Sequence, residues 1–317
     1  MSEVLLEVNH LKKYFDTPRG KLHAVDDVSF SIEKGKTLGL VGESGCGKST
    51  TGRTVLRLIE PTSGEIIFNG VNINKLSGKE LRKARSDMQI IFQDPFSSLD
   101  PSQTVSQAIA EAVTSKHHSY SKKQTSDRVK ELMDTVGLSQ RLYESYPHEL
   151  DGGRRQRIGI AKALAMEPKF IVCDEPVSAL DVSIQAQILN LLKHLQNDLE
   201  LTYIFITHDL AVVKHISDEI AVMYLGQIVE KASSRELFKN PVHPYTKALL
   251  SAIPIPKVGM KQKRIIIRGE VTSPIEPKNE CRFAKRCDFV SEKCKSLSPV
   301  LKEIEPGHFV ACHLCDN

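Results

Sequence analysis

TLGLVGESGCGKST, residues 37–50, is the stretch that decides how this 317-residue chain is read. TLGLV is an unbroken, mostly apolar run of strand length, and three glycines follow within six residues. STTGRTVLRLI, residues 49–59, then takes up helical spacing. A strand feeding a glycine-rich loop that opens a helix is the context in which G-x-x-x-x-G-K-S cradles phosphate. The glycines let the backbone curl so that successive N–H groups point inward, and the helix N-terminus adds a partial positive charge. Gly42, Glu43, Ser44, Gly45, Cys46, Gly47, Lys48, Ser49 and Thr50 are expected to surround a triphosphate. Lys48 would reach the β- and γ-phosphates and Ser49 would ligate Mg²⁺. Cys46 stands at a variable loop position and reads as a small filler, as Cys173 does within its strand.

Outward from the loop, the pattern is α/β. VLLEV and HAVDDVSFSI, broken by Thr17, Pro18, Arg19 and Gly20, predict an N-terminal antiparallel sheet. GEIIFNGVNI (64–73) returns to strand character. Residues of about 102–165 read as mostly helical and interrupt the alternation like an inserted subdomain. KFIVCDEP (169–176) predicts a second buried strand, IQAQILNLLKHLQNDL (184–199) a helix, and LTYIFITHD (201–209) a third strand. IAVMYLGQIVEKA (220–232) predicts a hairpin. Strands alternating with helices imply a mainly parallel sheet covered on both faces. From about residue 251 the chain is proline-rich and weakly periodic, and it reads as an irregular appendage.

Charge and composition exclude other classes. With 43 basic and 39 acidic residues mixed along the chain, the net charge of +4 is no footprint for nucleic acid. No run approaches the roughly 18 apolar residues needed to cross a bilayer, and the N-terminus lacks a secretory pattern. The expectation is a soluble chain that meets a membrane only through a partner. Five of the seven cysteines crowd residues 281–315. An odd count without an export signal points to a metal or cluster site rather than a disulfide scaffold.

Two adjacent acids, Asp174 and Glu175, end the FIVC strand. In an α/β sheet such strand ends face the ligand crevice. Asp174 would hold Mg²⁺ through its water shell, and Glu175 would polarise an attacking water as general base.

Around this core the sequence resembles the ATP-binding cassettes of ABC transporters over residues 5–250. Leu150, Asp151, Gly152, Gly153 and Arg154 resemble the signature loop, which meets the ATP of a partner cassette. Gln93 resembles the Q-loop glutamine, a Mg²⁺ or water contact, and Asp181 the D-loop aspartate. His208 resembles the switch histidine, and Tyr14 the aromatic residue that stacks on adenine. The resemblance implies a P-loop NTPase (RecA-like) core with an N-terminal antiparallel β subdomain, an inserted α-helical subdomain and a small irregular C-terminal extension. It implies Lys48, Gln93, Glu175 and His208 as the catalytic group, and Mg²⁺ bound through Ser49, Gln93 and Asp174. It also implies a head-to-tail pair of cassettes, each ATP lying between one P-loop and the other signature loop.

The signature loop departs from the usual L-S-G-G-Q, with Asp151 for Ser and Arg154 for Gln. An ionised Asp151 brings negative charge towards a phosphate. The expectation is an asymmetric transporter, its second cassette non-identical, with the site closed by Asp151 impaired. The competing readings are a loop that tolerates Asp and a degenerate regulatory cassette.

QDPFSSLDP (93–101) and NPVHPYTKALLSAIP (240–254) resemble the oligopeptide/dipeptide importer branch. This divides the chain into a cassette, 1–250, and a cysteine-rich extension, 251–317. It implies permease subunits in the membrane, an extracytoplasmic solute-binding protein, and a place on the cytoplasmic face of the cell membrane. Nickel or another small solute is the alternative cargo. A soluble ABC protein of DNA repair or translation is a further alternative, disfavoured by the absence of a second cassette or a long coiled coil. Some members of the branch bind a 4Fe–4S cluster, and the matching positions are Cys281, Cys287, Cys294 and Cys312. Zinc and unligated thiols stand as the other readings.

Overall fold

A computed structural model of the chain describes residues 3–94, 99–253, 264–267, 269 and 272–316. Part of the 93–101 stretch and the first prolines of the extension, Pro254 and Pro256, lie outside the described residues.

The chain opens with a hairpin, β1 (Val4–Thr17) and β2 (Gly20–Glu33). Its turn is closed by Thr17 Oγ1 donating to the Gly20 carbonyl at 2.6 Å. β3 (Thr37–Val41) enters the glycine loop, and α1 (Lys48–Val55) leaves it. β4 (Ser63–Phe68) and β5 (Val71–Asn72) complete an antiparallel sheet of order β2-β1-β4-β5, in which Leu6 pairs with Phe68 and Val8 with Ile66. All four of these side chains are buried. The predicted N-terminal β subdomain is therefore present.

α2 (Gly78–Ser86) and β6 (Met88–Ile91) follow. Sequence reading passes over both. α2 buries no residue and so carries no apolar stripe, and β6 is only four residues long. The helical block is α3 (Val105–Lys116), α4 (Lys122–Thr135) and α5 (Gly152–Ala165). α3 and α4 each start with a capping box, Thr104 with Gln107 and Ser121 with Gln124. Ala108, Ile109, Val113, Val129, Leu132, Ile158 and Leu164 fill the space between the three helices. Next come β7 (Phe170–Asp174), α6 (Val182–Leu199), β8 (Thr202–Thr207), α7 (Leu210–Ile216), β9 (Glu219–Tyr224) and β10 (Gln227–Ser233). The C-terminal part adds α8 (Ser234–Lys239), α9 (Pro244–Ser251), α10 (Glu292–Ser296) and a hairpin of β11 (Lys302–Glu305) and β12 (His308–Val310).

The chain forms two compact units that do not follow its linear order. Among the described residues, one holds 33–35 and 75–204, and so carries the helical block and the parallel pair β6–β7. The other holds residues 3–32, 36–74 and 205–317. In it β3 pairs parallel with β9, β9 antiparallel with β10, and β10 antiparallel with β12. Among its described residues the extension is thus mostly irregular, but its hairpin adds two strands to the β3–β9–β10 sheet. No helix among the described residues is long and apolar enough to cross a membrane.

Candidate nucleotide site

In the unit that carries the glycine loop, the loop is held in a conformation only glycine can supply at two positions. Gly42 and Gly47 lie at φ of 153° and 105°. A Cβ on Gly42 would sit 2.2 Å from the Met223 carbonyl oxygen, and one on Gly47 2.1 Å from that of Ala24. Gly47 is the N-cap of α1, so the helix dipole opens directly onto the loop. Lys48 is 4% exposed, and its amine donates to the carbonyls of Gly42 at 2.8 Å and Glu43 at 3.0 Å. The cation is therefore stored at the loop's mouth by carbonyl oxygens that phosphate oxygens can replace. Cys46 is buried, and burial raises its thiol pKa, which fits the filler reading.

Tyr14, expected beside the base, lies in the same unit. One face of its ring stacks on His23 with centroids 3.8 Å apart, and its hydroxyl donates to Asp26. Burial raises the Tyr14 pKa, and the Asp26 hydrogen bond raises it further. Burial alone would raise the Asp26 carboxyl. Hydrogen bonds with Tyr14 and His23 and the charge of Arg282 outweigh that and hold it below its ordinary value. His208 is exposed at the end of β8, and the next residue, Asp209, caps α7 by accepting from the Ala211 N–H at 2.7 Å.

The other unit gathers the remaining expected residues in two places. β6 and β7 run parallel, and their C-terminal ends present Gln93 and Glu175 side by side. The Gln93 amide donates to the Glu175 carboxylate at 3.2 Å. Asp174, 2% exposed, closes β7. Glu175 has φ of 49°, a left-handed conformation that a non-glycine residue keeps only when its surroundings enforce it.

Asp151 is the N-cap of α5, as its sequence position suggests. Its carboxylate accepts from the Arg154 N–H at 2.8 Å and pairs with the Arg154 guanidinium at 3.2 Å. The two substituted signature positions thus compensate each other in charge. Gly152 and Gly153 form the first turn of α5, against the D-loop segment. A Cβ on Gly152 would meet Leu180 Cδ2 at 2.9 Å, and one on Gly153 would meet Ile184 Cγ2 at 2.5 Å. Asp181 caps α6 by backbone geometry, without a side-chain bond.

The four cysteines of interest lie in the extension and sense one another. Burial raises the Cys281 thiol to about 11, with the neighbouring Cys294 and Cys287 adding to it. Cys312 is likewise pushed up to about 11 by burial, with Cys315, Cys281 and Cys287 adding. The Cys281 N–H donates to the Cys294 carbonyl at 2.8 Å, and the Phe289 N–H donates to Cys287 Sγ at 3.4 Å. Three half-buried thiols and the buried Cys294, with backbone N–H groups of Phe283, Phe289 and Leu314 favouring the thiolates of Cys281, Cys287 and Cys312, suit a thiolate-ligated group.

Sequence reading misses His23, Asp26, Tyr245, Arg282 and Arg286, which brace the loop and Tyr14. No local spacing links residue 43 to residue 286. The only available signal is two arginines four apart inside CRFAKRC.

A parallel α/β sheet with a strand–glycine loop–helix phosphate cradle defines a P-loop nucleotide-binding protein. A family model described as "ABC transporter" matches residues 25–178, and one described as "Oligopeptide/dipeptide transporter, C-terminal region" matches residues 229–294. The chain is 50% identical to the oligopeptide transport ATP-binding protein AppF of Bacillus subtilis, over 98% of each chain. It is 52% identical to OppF, the protein of the same description in that organism, over 98% of this chain and 97% of OppF. The chain therefore belongs to the ABC transporter family, in its oligopeptide/dipeptide branch.

Among solved structures, it resembles the ATP-binding cassette MJ0796 in a dimeric post-hydrolysis state bound to ADP and Pi. The TM-score is 0.67 at 28% identity, over 73% of this chain and 99% of that one. The cbiO1 protein of Clostridium perfringens, part of the ABC transporter complex cbiONQ, gives the same score at 29% identity, over 75% and 92%.

Proposed function

We propose that this chain is the ATP-binding and ATP-hydrolysing subunit of an ABC importer of dipeptides or oligopeptides. The observation that carries this reading is the buried Lys48 amine turned into a loop in which Gly42 and Gly47 admit no side chain. Nearly full-length identity to oligopeptide transport ATP-binding proteins supports the cargo. In this reading the chain divides into a cassette, 1–250, and the cysteine-rich extension, 251–317.

The backbone amides of residues 42–50 and the Lys48 amine bind the phosphates, with Mg²⁺ on Ser49, Asp174 and Gln93. Tyr14 offers the ring face opposite His23 to adenine. Glu175 takes the proton of the attacking water, Gln93 orients that carboxylate, and His208 donates towards the γ-phosphate. Leu150, Asp151, Gly152, Gly153 and Arg154, with the D-loop Asp181, serve the ATP of a second, non-identical cassette. Permease subunits and an extracytoplasmic binding protein complete the transporter, and the chain sits on the cytoplasmic membrane face through them.

Cys281, Cys287, Cys294 and Cys312 hold a 4Fe–4S cluster in this reading. When bound, the cluster would supply thiolate–iron bonds that cross-link four chain positions. The chain's own part is to release four thiol protons and to exclude water with Phe283 and Ala284, both buried beside Cys281. Brown protein with matched iron and acid-labile sulfide supports this, and colourless, iron-free protein purified without air overturns it.

The decisive test of the function is Lys48→Ala. Nucleotide binding and ATP turnover should be lost, and with them ATP-driven peptide uptake by the reconstituted transporter. An unchanged Lys48→Ala protein ends the ATPase reading. Intact ATPase with no peptide uptake ends only the cargo assignment.

A further inference from the structure

The 281–287 loop, CRFAKRC, does more in this fold than carry two cysteines. Each of its two arginines leaves the extension and grips a residue that shapes the nucleotide site of the same unit. Arg286 donates through both terminal nitrogens to the carboxylate of Glu43, the second residue of the phosphate loop, at 2.7 and 3.1 Å. The fork is 8% exposed, and its carboxylate 23%. Its guanidinium also lies 5.8 Å from the Tyr224 ring centroid. Arg282, also 8% exposed, pairs with Asp26 and donates to the Leu225 carbonyl. Asp26 in turn accepts from the Tyr14 hydroxyl and is bonded to His23.

Between the two arginines, Phe283 is 3% exposed and packs edge-on to Tyr224 at 5.2 Å and tilted on Tyr245 at 5.4 Å. The Tyr245 hydroxyl accepts the backbone N–H of Glu43 at 2.9 Å. One short loop thus reaches the phosphate side through Arg286 and Phe283, and the base side through Arg282.

We infer that the 281–287 loop is a strap on the ATP site, with Arg286 a positioning residue for the phosphate loop and Arg282 a positioning residue for Tyr14. The inference rests on the reading that ATP binds this phosphate loop with its base at Tyr14. A carboxylate beside a polyphosphate is repulsive unless a cation faces it. A bidentate arginine both neutralises Glu43 and fixes its direction, which a lysine cannot do. Asp26 is likewise committed: with Arg282 in place it holds the Tyr14–His23 stack, and without it the acid is left half-buried beside the base position. The strap also puts ATP affinity in the hands of the cysteines that flank it. Cys281 and Cys287 pack against the same aromatic cluster, so whatever restrains their sulfurs restrains the arginines.

The test compares binding of ATP and of inorganic tripolyphosphate by the full chain, each competing against a fluorescent ATP analogue. Arg286→Ala should weaken both competitors by about tenfold, the loss of one charge-assisted contact. Arg282→Ala should weaken ATP by a similar factor and leave tripolyphosphate unchanged. Arg286→Lys should fall between the parent and Arg286→Ala. Glu43→Gln removes the carboxylate that needs neutralising and should stay within about threefold of the parent, and the double variant should recover most of what Arg286→Ala loses.

A double variant as weak as Arg286→Ala, equal effects of Arg282→Ala on both competitors, or unchanged affinity in every variant would each overturn the strap. If Arg286→Ala does not fold, Arg286→Lys decides, and unchanged affinity for both competitors there overturns the strap. Lys48→Ala separates the two layers. If it still binds, the ATP-site reading itself has failed; if it does not bind while the arginine variants behave as the parent, only the strap has.

Discussion

Gln93 donates its side-chain amide to the carboxylate of Glu175 at 3.2 Å, joining the ends of two neighbouring parallel strands. The contact steers one carboxylate oxygen, and it does so on a residue whose backbone already sits at φ of 49°. A general base must be aimed as well as ionised. Glu175→Gln should therefore lower ATP turnover by at least about a hundredfold while nucleotide affinity stays within about threefold. Gln93→Ala should cost roughly tenfold in turnover, since it removes the aim and leaves the base. Phosphate release and equilibrium binding, measured on the same preparations, check both. A Glu175→Gln protein with parental turnover would exclude this residue as the base.

The phosphate loop was legible because its chemistry is local. Lys48 acts on Gly42 and Glu43 within six positions, and although Met223 and Ala24 are what exclude a Cβ at Gly42 and Gly47, the glycine spacing itself is written in one short run. Asp174 and Glu175 were legible for the same reason, since a strand that ends in acids announces its own exit. What escaped sequence reading is non-local. Arg286 meets Glu43 across 243 positions and Arg282 meets Asp26 across 256, and no periodicity encodes such a pair. β6 escaped because four residues are too few to show alternation, and α2 because a helix that buries no residue carries no apolar stripe. The β11–β12 hairpin hides in a proline-rich stretch whose pairing partner, β10, lies about eighty residues upstream.

His243 makes the strap region acid-sensitive. It is 1% exposed, and its Nδ1 accepts the Tyr245 N–H at 3.1 Å, so the fold requires the neutral ring. Burial lowers its pKa from 6.5 to about 3, and the charge of Lys247 adds to the shift. Between those values the unfolded chain binds more protons than the folded one. The His243 contribution is therefore complete above pH 6.5 and drains as pH falls towards 3, with a slope of up to about 1.4 kcal/mol per pH unit. His243→Asn keeps a capping acceptor without the titration and should flatten that slope. Urea unfolding of parent and variant across this range measures it, and parallel stability curves would refute the assignment.

Gly153 tests the packing of the signature helix. A methyl there would stand 2.5 Å from Ile184 Cγ2, the branched end of a side chain fixed on α6. Gly153→Ala should cost about 1–3 kcal/mol by overpacking, despite alanine's better helix propensity. Ile184→Ala in the same chain should recover part of that loss by making room. Denaturant unfolding of the three proteins decides it. If Gly153→Ala is more stable than the parent, propensity outweighs the contact and the clash has relaxed.

Asp151 and Arg154 test whether the altered signature loop weakens its site. At about 4 Å and an effective dielectric of about 20, a carboxylate facing a phosphate is repulsive by at most about 4 kcal/mol. Both side chains are roughly half-exposed, at 56% for Asp151 and 46% for Arg154, so solvent and the 3.2 Å ion pair reduce that figure. The capping bond to the Arg154 N–H, in contrast, is worth about 1 kcal/mol and needs only an acceptor oxygen. Serine supplies the acceptor without the charge. Asp151→Ser should therefore leave the stability of the chain unchanged within about 0.5 kcal/mol and raise the ATPase rate of the assembled transporter. Arg154→Gln, which strips the counter-charge and keeps Asp151, should lower the rate. Asp151→Ala should lose the cap and destabilise the chain by about 1 kcal/mol. If Asp151→Ser and Arg154→Gln both turn over at the parental rate, the loop tolerates its aspartate and the transporter has no impaired site on this side.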